Sequence, residues 1–170
     1  YLIFDGNSVS AHTGPGVMMF ADVSGDVKFN NISISNIEVK NFGAEGVKIY
    51  TSINLTGYQN LTLNNLSVHD VTKNGIEISG DVAQTLVGWP HKNVSVSNCE
   101  VYDVPGSLGS SALEGNGIVM AGVDDGIIQN CVAHDNGQNN SHCGGPVGIW
   151  SLESNNVTIQ YCESYRNHRG

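Results

Sequence analysis

Five stretches of this chain lie on one another without gaps: Asn31-Ile-Ser-Ile-Ser-Asn36-Ile-Glu-Val, Asn60-Leu-Thr-Leu-Asn-Asn65-Leu-Ser-Val, Asn93-Val-Ser-Val-Ser-Asn98-Cys-Glu-Val, Asp125-Gly-Ile-Ile-Gln-Asn130-Cys-Val-Ala and Asn156-Val-Thr-Ile-Gln-Tyr161-Cys-Glu-Ser. A weaker sixth copy opens at Tyr1. The starts at 1, 31, 60, 93, 125 and 156 are separated by 30, 29, 33, 32 and 31 residues. A period near 30 leaves few architectures, because no single copy can bury its own apolar face and each must stack on the next.

Within a copy, positions two and four are apolar (Ile32 and Ile34, Leu61 and Leu63, Val94 and Val96, Val157 and Ile159). This period of two predicts a strand with one buried face. Position six is Asn in four consecutive copies, at Asn36, Asn65, Asn98 and Asn130. Asn tolerates left-handed dihedrals and bonds local backbone, so a bend is expected there. Apolar residues resume at positions seven and nine, as in Ile37 and Val39 or Cys99 and Val101. A third strand follows a Gly in most copies: Gly16-Val-Met-Met-Phe, Gly46-Val-Lys-Ile-Tyr, Gly75-Ile-Glu-Ile-Ser, Gly117-Ile-Val-Met-Ala and, shifted, Pro146-Val-Gly-Ile-Trp150. Three strands per turn, stacked in parallel, make an all-β, single-stranded parallel β-helix of about six coils spanning residues 1–170. With 14% charged residues and many Asn, Ser, Thr, Val and Ile, the composition disfavours helix throughout.

The Asn file and the three-strand coil resemble the right-handed parallel β-helix superfamily, whose best known members are the pectate lyases and polygalacturonases. The stretch Gly144-Gly-Pro-Val-Gly-Ile-Trp150 with Asn155-Asn-Val-Thr-Ile-Gln is also similar to secreted bacterial β-helix repeat proteins. The resemblance implies a right-handed coil, an extracellular or cell-surface location, and a polysaccharide bound on the outer face of the third strand. The chain opens directly on the strand-like Tyr1-Leu-Ile-Phe4 and its last copy holds two strands, so a piece of a longer β-helix is expected at both ends. Bare terminal coils would also favour end-to-end self-association.

Differences between coils mark where function should sit. In the first three coils the Gly opening the third strand lies 15 residues past the start of the copy; in the next the offset is 24, and Pro146 lies 21 past Asp125. Two neighbouring coils therefore carry loops between second and third strands, at 104–115 and 136–145. Residues 80–92, with Trp89 and His91, form a third enlarged loop. Loops on a rigid scaffold are the usual place for binding groups. Alternation then predicts the outward residues of the third face: Met18 and Phe20, Lys48 and Tyr50, Glu77 and Ser79, Val119 and Ala121, Gly148 and Trp150. Asp22, Asp81, Asp124 and Glu153 follow at strand ends.

This face supplies the candidate site. Tyr50 and Trp150 offer flat rings for sugars, with Lys48, His134 and His142 as further substrate contacts. Glu77, Asp81, Asp124 and Glu153 are the candidate catalytic carboxylates, two of which would serve a glycoside hydrolase as acid and base. In a lyase they would instead hold Ca²⁺, the one cofactor expected, while Lys48 or His134 removed the α-proton of a uronate. Asp turn chemistry and ordinary surface packing account for the same columns. His69, Tyr102, His134 and Tyr165 fall at equivalent positions, so the histidines are expected to stack between tyrosines, with Asp135 and Arg166 paired beside them. Cys99, Cys131 and Cys162 share one inward column. Cys143 beside His142 is half a zinc site that no Cys-x-x-Cys completes. Most of the seven Asn-x-Ser/Thr sequons arise from the strand pattern itself.

Charge limits the partners. Seven Lys and Arg against 16 Asp and Glu give a net charge of -9, which supplies no basic stripe for nucleic acid. The same charge disfavours a polyuronate unless Ca²⁺ bridges it. No run of 18 apolar residues exists to span a membrane. Two readings remain: a secreted carbohydrate-active protein that binds and cleaves a polysaccharide, and a non-catalytic structural, adhesive or filament-forming β-helix.

Overall fold

The computed structural model describes residues 2–52, 55–80, 88–140 and 145–168. Strands, turns and irregular loops make up all of it, and among the described residues no helix is long and apolar enough to cross a membrane. Every strand pairing among the described residues is parallel and joins positions one repeat apart, 29–33 residues in most pairings, 35 where Leu2 meets Ile37 and 42 across the longer 104–115 loop, so the chain winds as a solenoid of about five turns.

The first two faces form one continuous sheet. Lys28–Lys40 and Gly57–His69 run through both faces without a break. Elsewhere the two faces are separate strands: His91–Ser97 then Glu100–Tyr102, Val123–Gln129 then Val132–His134, and Asn155–Gln160 then Glu163–Tyr165. The third face stacks Val17–Ala21, Val47–Thr51, Asn74–Gly80, Asn116–Ala121 and Ile149–Leu152.

The predicted bend is where the sequence puts it. Asn36, Asn65, Asn98 and Asn130 lie in one file, with φ of 58, 56, 54 and 53°. Asn65 Nδ2 donates to Asn36 Oδ1 at 2.8 Å. Asn98 instead donates to Asn64 Oδ1 at 2.8 Å, an oxygen that Ser97 also reaches. A second left-handed file lies near the start of the first-face strands: Asn31, Asn60, Asn93, Asp125 and Asn156. Its amides bond across rungs, Asn60 to Asn31 at 3.2 Å and Asn93 to Asn60 at 2.6 Å.

Inward residues stack in like columns. Leu61, Leu63, Leu66, Val68, Ile76 and Ile78 are at most 2% exposed. Burying each such side chain contributes about 1.5–3 kcal/mol. Cys99, Cys131 and Cys162 continue the column of Ile37 and Leu66, as free thiols bonded to backbone carbonyls. Contact with Cys99 and burial push the Cys131 thiol up. The strand-opening glycines also form a file, because the second strand passes close over it. A Cβ at Gly75 would lie 2.1 Å from Val101 Cγ1, and one at Gly46 2.2 Å from Val68 Cγ1.

The winding corrects two expectations. Leu2–Asp5 pairs with Ile37–Lys40, so the chain enters midway through a turn, on the second face. Tyr1 is therefore not a copy start, and about five turns replace six. The segment 6–16 then becomes an insertion longer than its equivalent at 41–46. Strand Ile149–Leu152 pairs Ile149 with Ile118, which sets Gly148, not Pro146, in the glycine file. Trp150 and Leu152 are thus the outward pair, and Gly148 belongs to the corner, where a Cβ would meet Ser164 Oγ at 2.2 Å.

Candidate functional site on the third face

Two outward files cross the third face. One is Met18, Lys48, Glu77, Val119 and Trp150; the other is Phe20, Tyr50, Ser79, Ala121 and Leu152. Phe20 and Tyr50 stack with centroids 5.6 Å apart and planes 8° from parallel. Lys48 lies 5.6 Å from the Tyr50 ring centroid. One end of the face is therefore an exposed aromatic platform, with Met18 and Phe20 about half exposed.

Polar groups fill the middle. The Lys48 ammonium bonds Glu45 Oε1 at 2.8 Å and approaches Glu77 Oε1 at 3.6 Å. Burial works against its charge, but the two carboxylates more than offset this and raise its pKa. Glu77 also accepts from Asn74 Nδ2 at 2.8 Å and Ser79 Oγ at 2.7 Å. Asn74 and Asn116 precede successive strand glycines and are buried. Asn116 donates from its backbone and its amide to Asn74 Oδ1, at 3.1 and 2.9 Å, and accepts from the Val147 backbone at 2.8 Å. Three coils are tied together by this one pair.

Beyond Glu77 lies a hollow of about 180 Å³, lined by Glu77, Leu113, Asn116, Val119, Trp150 and Glu153 among others. Val119 and Ala121 point outward yet are only 6% and 7% exposed, so they form an apolar floor. Trp150 Nε1 is buried without a hydrogen-bond partner, which no other side-chain N or O atom is among the described residues. Glu153 borders the hollow from a left-handed corner, φ 45°.

Of the sequence-derived candidates, the fold therefore brings together Lys48, Tyr50, Glu77, Trp150 and Glu153. Asp124 stands apart. The corner after Asn116–Ala121 is a single residue, Gly122, so Asp124 is already on the first face, accepting from Asn155 Nδ2 at 2.8 Å and lying 3.6 Å from Lys92. His134 is on the second face. It stacks between Tyr102 and Tyr165 with centroids 5.1 and 4.8 Å away, and His69 caps the same column 4.6 Å from Tyr102. Beside it Arg166 donates from Nε to Asp135 at 2.7 Å; Arg166 first, then His134, holds that carboxyl well below the usual range. Asp22 accepts from Ser52 at 3.0 Å. Asp81 and His142 lie outside the described residues, as do Cys143 and Asn54. His91 is no loop residue: it opens strand His91–Ser97, fully buried and stacked on Tyr58 at 5.7 Å.

Two features escaped the sequence reading. The Asn74–Asn116 pair was legible as a polar residue before the strand glycine in three consecutive coils (Glu45, Asn74, Asn116). The other is a saddle of about 600 Å³ over the short turns at Asn41 and Asp70, walled by Ser8 and Val9 on one side and Pro105 and Gln138 on the other. It depends on the 6–16 insertion, hidden by taking Tyr1 as a copy start. Among the described residues no group of three or more His, Cys, Asp or Glu is placed to hold a metal ion.

Neither the curated proteins nor the solved structures contain a match to this chain. The profile of the family described as "Right handed beta helix region" matches residues 26–170, most of the chain and every complete turn of the solenoid above. The chain belongs to the right-handed β-helix family.

Proposed function

We propose that the chain binds a polysaccharide along the outer face of its third strand. The observation that carries this is the order of side chains across that face. A stacked Phe20–Tyr50 platform lies at one end and Trp150 with an unpartnered indole N–H toward the other, with Lys48, Glu77, Asn74 and Ser79 between them. Aromatic faces take the apolar sides of sugar rings, and fixed polar groups between them read hydroxyl positions. A polymer of that kind is met outside the cell, which is where this reading puts the protein.

Retention on a panel of insoluble and gel-embedded polysaccharides tests it, with Ca²⁺ and with chelator. Tyr50→Ala and Trp150→Ala are expected to weaken retention at least about tenfold, since each removes a ring contact of about 1–1.5 kcal/mol together with its buried area. Ser33→Ala, on the first face, is expected to leave it unchanged. No retention of any polysaccharide, or equal retention by all four proteins, would refute the reading.

Cleavage is the second reading, and the shared hollow of Glu77 and Glu153 favours it. Glu77 already accepts from Asn74 and Ser79, so it offers the role of base or nucleophile, leaving Glu153 to protonate the leaving oxygen. A lyase mechanism has less support, since Glu45 and Glu77 hold Lys48 as an ammonium and His134 is on another face. Release of reducing ends that is lost in Glu77→Gln and Glu153→Gln would establish hydrolysis; binding without release would leave a non-catalytic adhesive protein.

A further inference from the structure

We infer that the hollow between Glu77 and Trp150 is a pocket for a 2-acetamido group, so that the polymer on this face is built of N-acetylated amino sugars; this rests on the glycan-binding reading above. Glu77, Val119 and Trp150 occupy one outward file on three successive rungs. Across the hollow the order is therefore carboxylate, apolar floor, indole. Val119 and Ala121 make the floor, and Leu113 and Leu152 add apolar margin.

An acetamido group has three parts, and each finds its complement. Its methyl fits the floor. Its carbonyl oxygen needs a donor, and Trp150 Nε1 is a donor with no acceptor. A buried N–H left unpaired is costly, so an arriving acceptor gains more here than at a solvated group. The indole is only partly buried and lines the hollow, and binding of this kind requires its ring to be oriented with the N–H toward the acetamido carbonyl. The acetamido N–H needs an acceptor. Glu77 has two carboxylate oxygens with about four lone-pair positions; Asn74 and Ser79 take two and Lys48 approaches Oε1, which leaves room on Oε2.

Other substituents fit less well. A hydroxyl leaves Val119 and Ala121 against a polar group. A uronate carboxylate meets Glu77 and Glu153, with only Lys48, already shared between Glu45 and Glu77, to offset it. An ammonium satisfies Glu77 but leaves the indole N–H unpaired and sets a charge on the apolar floor.

Titration calorimetry with oligomers that share one backbone tests this: β-1,4-linked glucose, N-acetylglucosamine and glucosamine hexamers, with an N-acetylgalactosamine oligomer as a second acetylated probe. An acetylated oligomer is expected to bind at least about tenfold more tightly than the glucose and glucosamine hexamers, the equivalent of one hydrogen bond to an otherwise unpaired donor. Trp150→Phe, which keeps an aromatic ring and deletes the N–H, is expected to lose about five- to tenfold more for the acetylated ligand than for the glucose hexamer. Should Trp150→Phe fail to fold, the ligand comparison on the native protein stands alone. Equal affinities for acetylated and non-acetylated hexamers, or a preference for glucosamine, would overturn the acetamido pocket while leaving glycan binding intact. Retention of some other polysaccharide with no binding of either acetylated oligomer would overturn it too. No binding of any sugar in either experiment would overturn both.

Discussion

Replacing Asn116 by Ala tests whether buried files, rather than single strands, hold the site in shape. Asn116 is fully buried, and its side chain makes three hydrogen bonds. The amide donates to Asn74 Oδ1 at 2.9 Å and to the Leu113 carbonyl at 3.2 Å, and its oxygen accepts from Val147 N at 2.8 Å. At about 1 kcal/mol for each bond, Asn116→Ala costs about 3 kcal/mol. Urea unfolding followed by circular dichroism measures this as a lower midpoint at unchanged slope. Asn74→Ala shares the Asn74–Asn116 bond, so the double variant is expected to lose about 1 kcal/mol less than the two single losses combined. Losses below about 0.5 kcal/mol for Asn116→Ala, or strict additivity of the pair, would refute the reasoning.

Further outcomes follow from individual contacts. His91 is neutral in the fold, because burial pushes its pKa down to about 4 while Nδ1 accepts from the Tyr58 amide. The folded value lies below the unfolded one, so stability is fully present above pH 6.5 and falls with pH through the window from 6.5 to 4. His91→Gln is expected to flatten that limb in unfolding measured across pH, and an unchanged limb would contradict the assignment. Gly75→Ala sets a Cβ against Val101 and is expected to cost about 3 kcal/mol in urea unfolding, partly restored by adding Val101→Ala. Gly14→Ala, with no atom within 4 Å, is expected to be neutral in the same assay. Tyr102→Phe is expected to keep thermal stability, whereas Tyr102→Ala, which removes the ring between His69 and His134, is expected to lose about 2 kcal/mol.

Most of the winding was legible because a solenoid repeats one environment. Inward positions recur at fixed places, so Ile, Leu, Val and Cys columns show in the sequence, and Asn at the bends follows from a left-handed dihedral that few residues accept. The His69–Tyr102–His134–Tyr165 stack and the Asp135–Arg166 pair could be foreseen for the same reason. Errors arose at corners, where length is not fixed by pairing. The corner of one residue at Gly122 carries Asp124 onto the next face, and the corner before Gly148 displaces the strand from Pro146 by two residues. The site was legible in its outward files but not in its closure. Val119 and Ala121 read as exposed by alternation, and only the packing around them turns an open groove into a small hollow.

Stacking of equal places in the repeat is the claim on which the site, its hollow and the proposed ligand all depend. It is tested most directly by a spin–spin distance between nitroxides at Ser33→Cys and Thr158→Cys, two exposed positions of one outward column, in a background lacking the native cysteines. Four rung spacings separate them, so a narrow distribution centred near ~19 Å, plus the reach of the labels, is predicted. A broad distribution, or one centred beyond about 30 Å, would contradict the stacked coil.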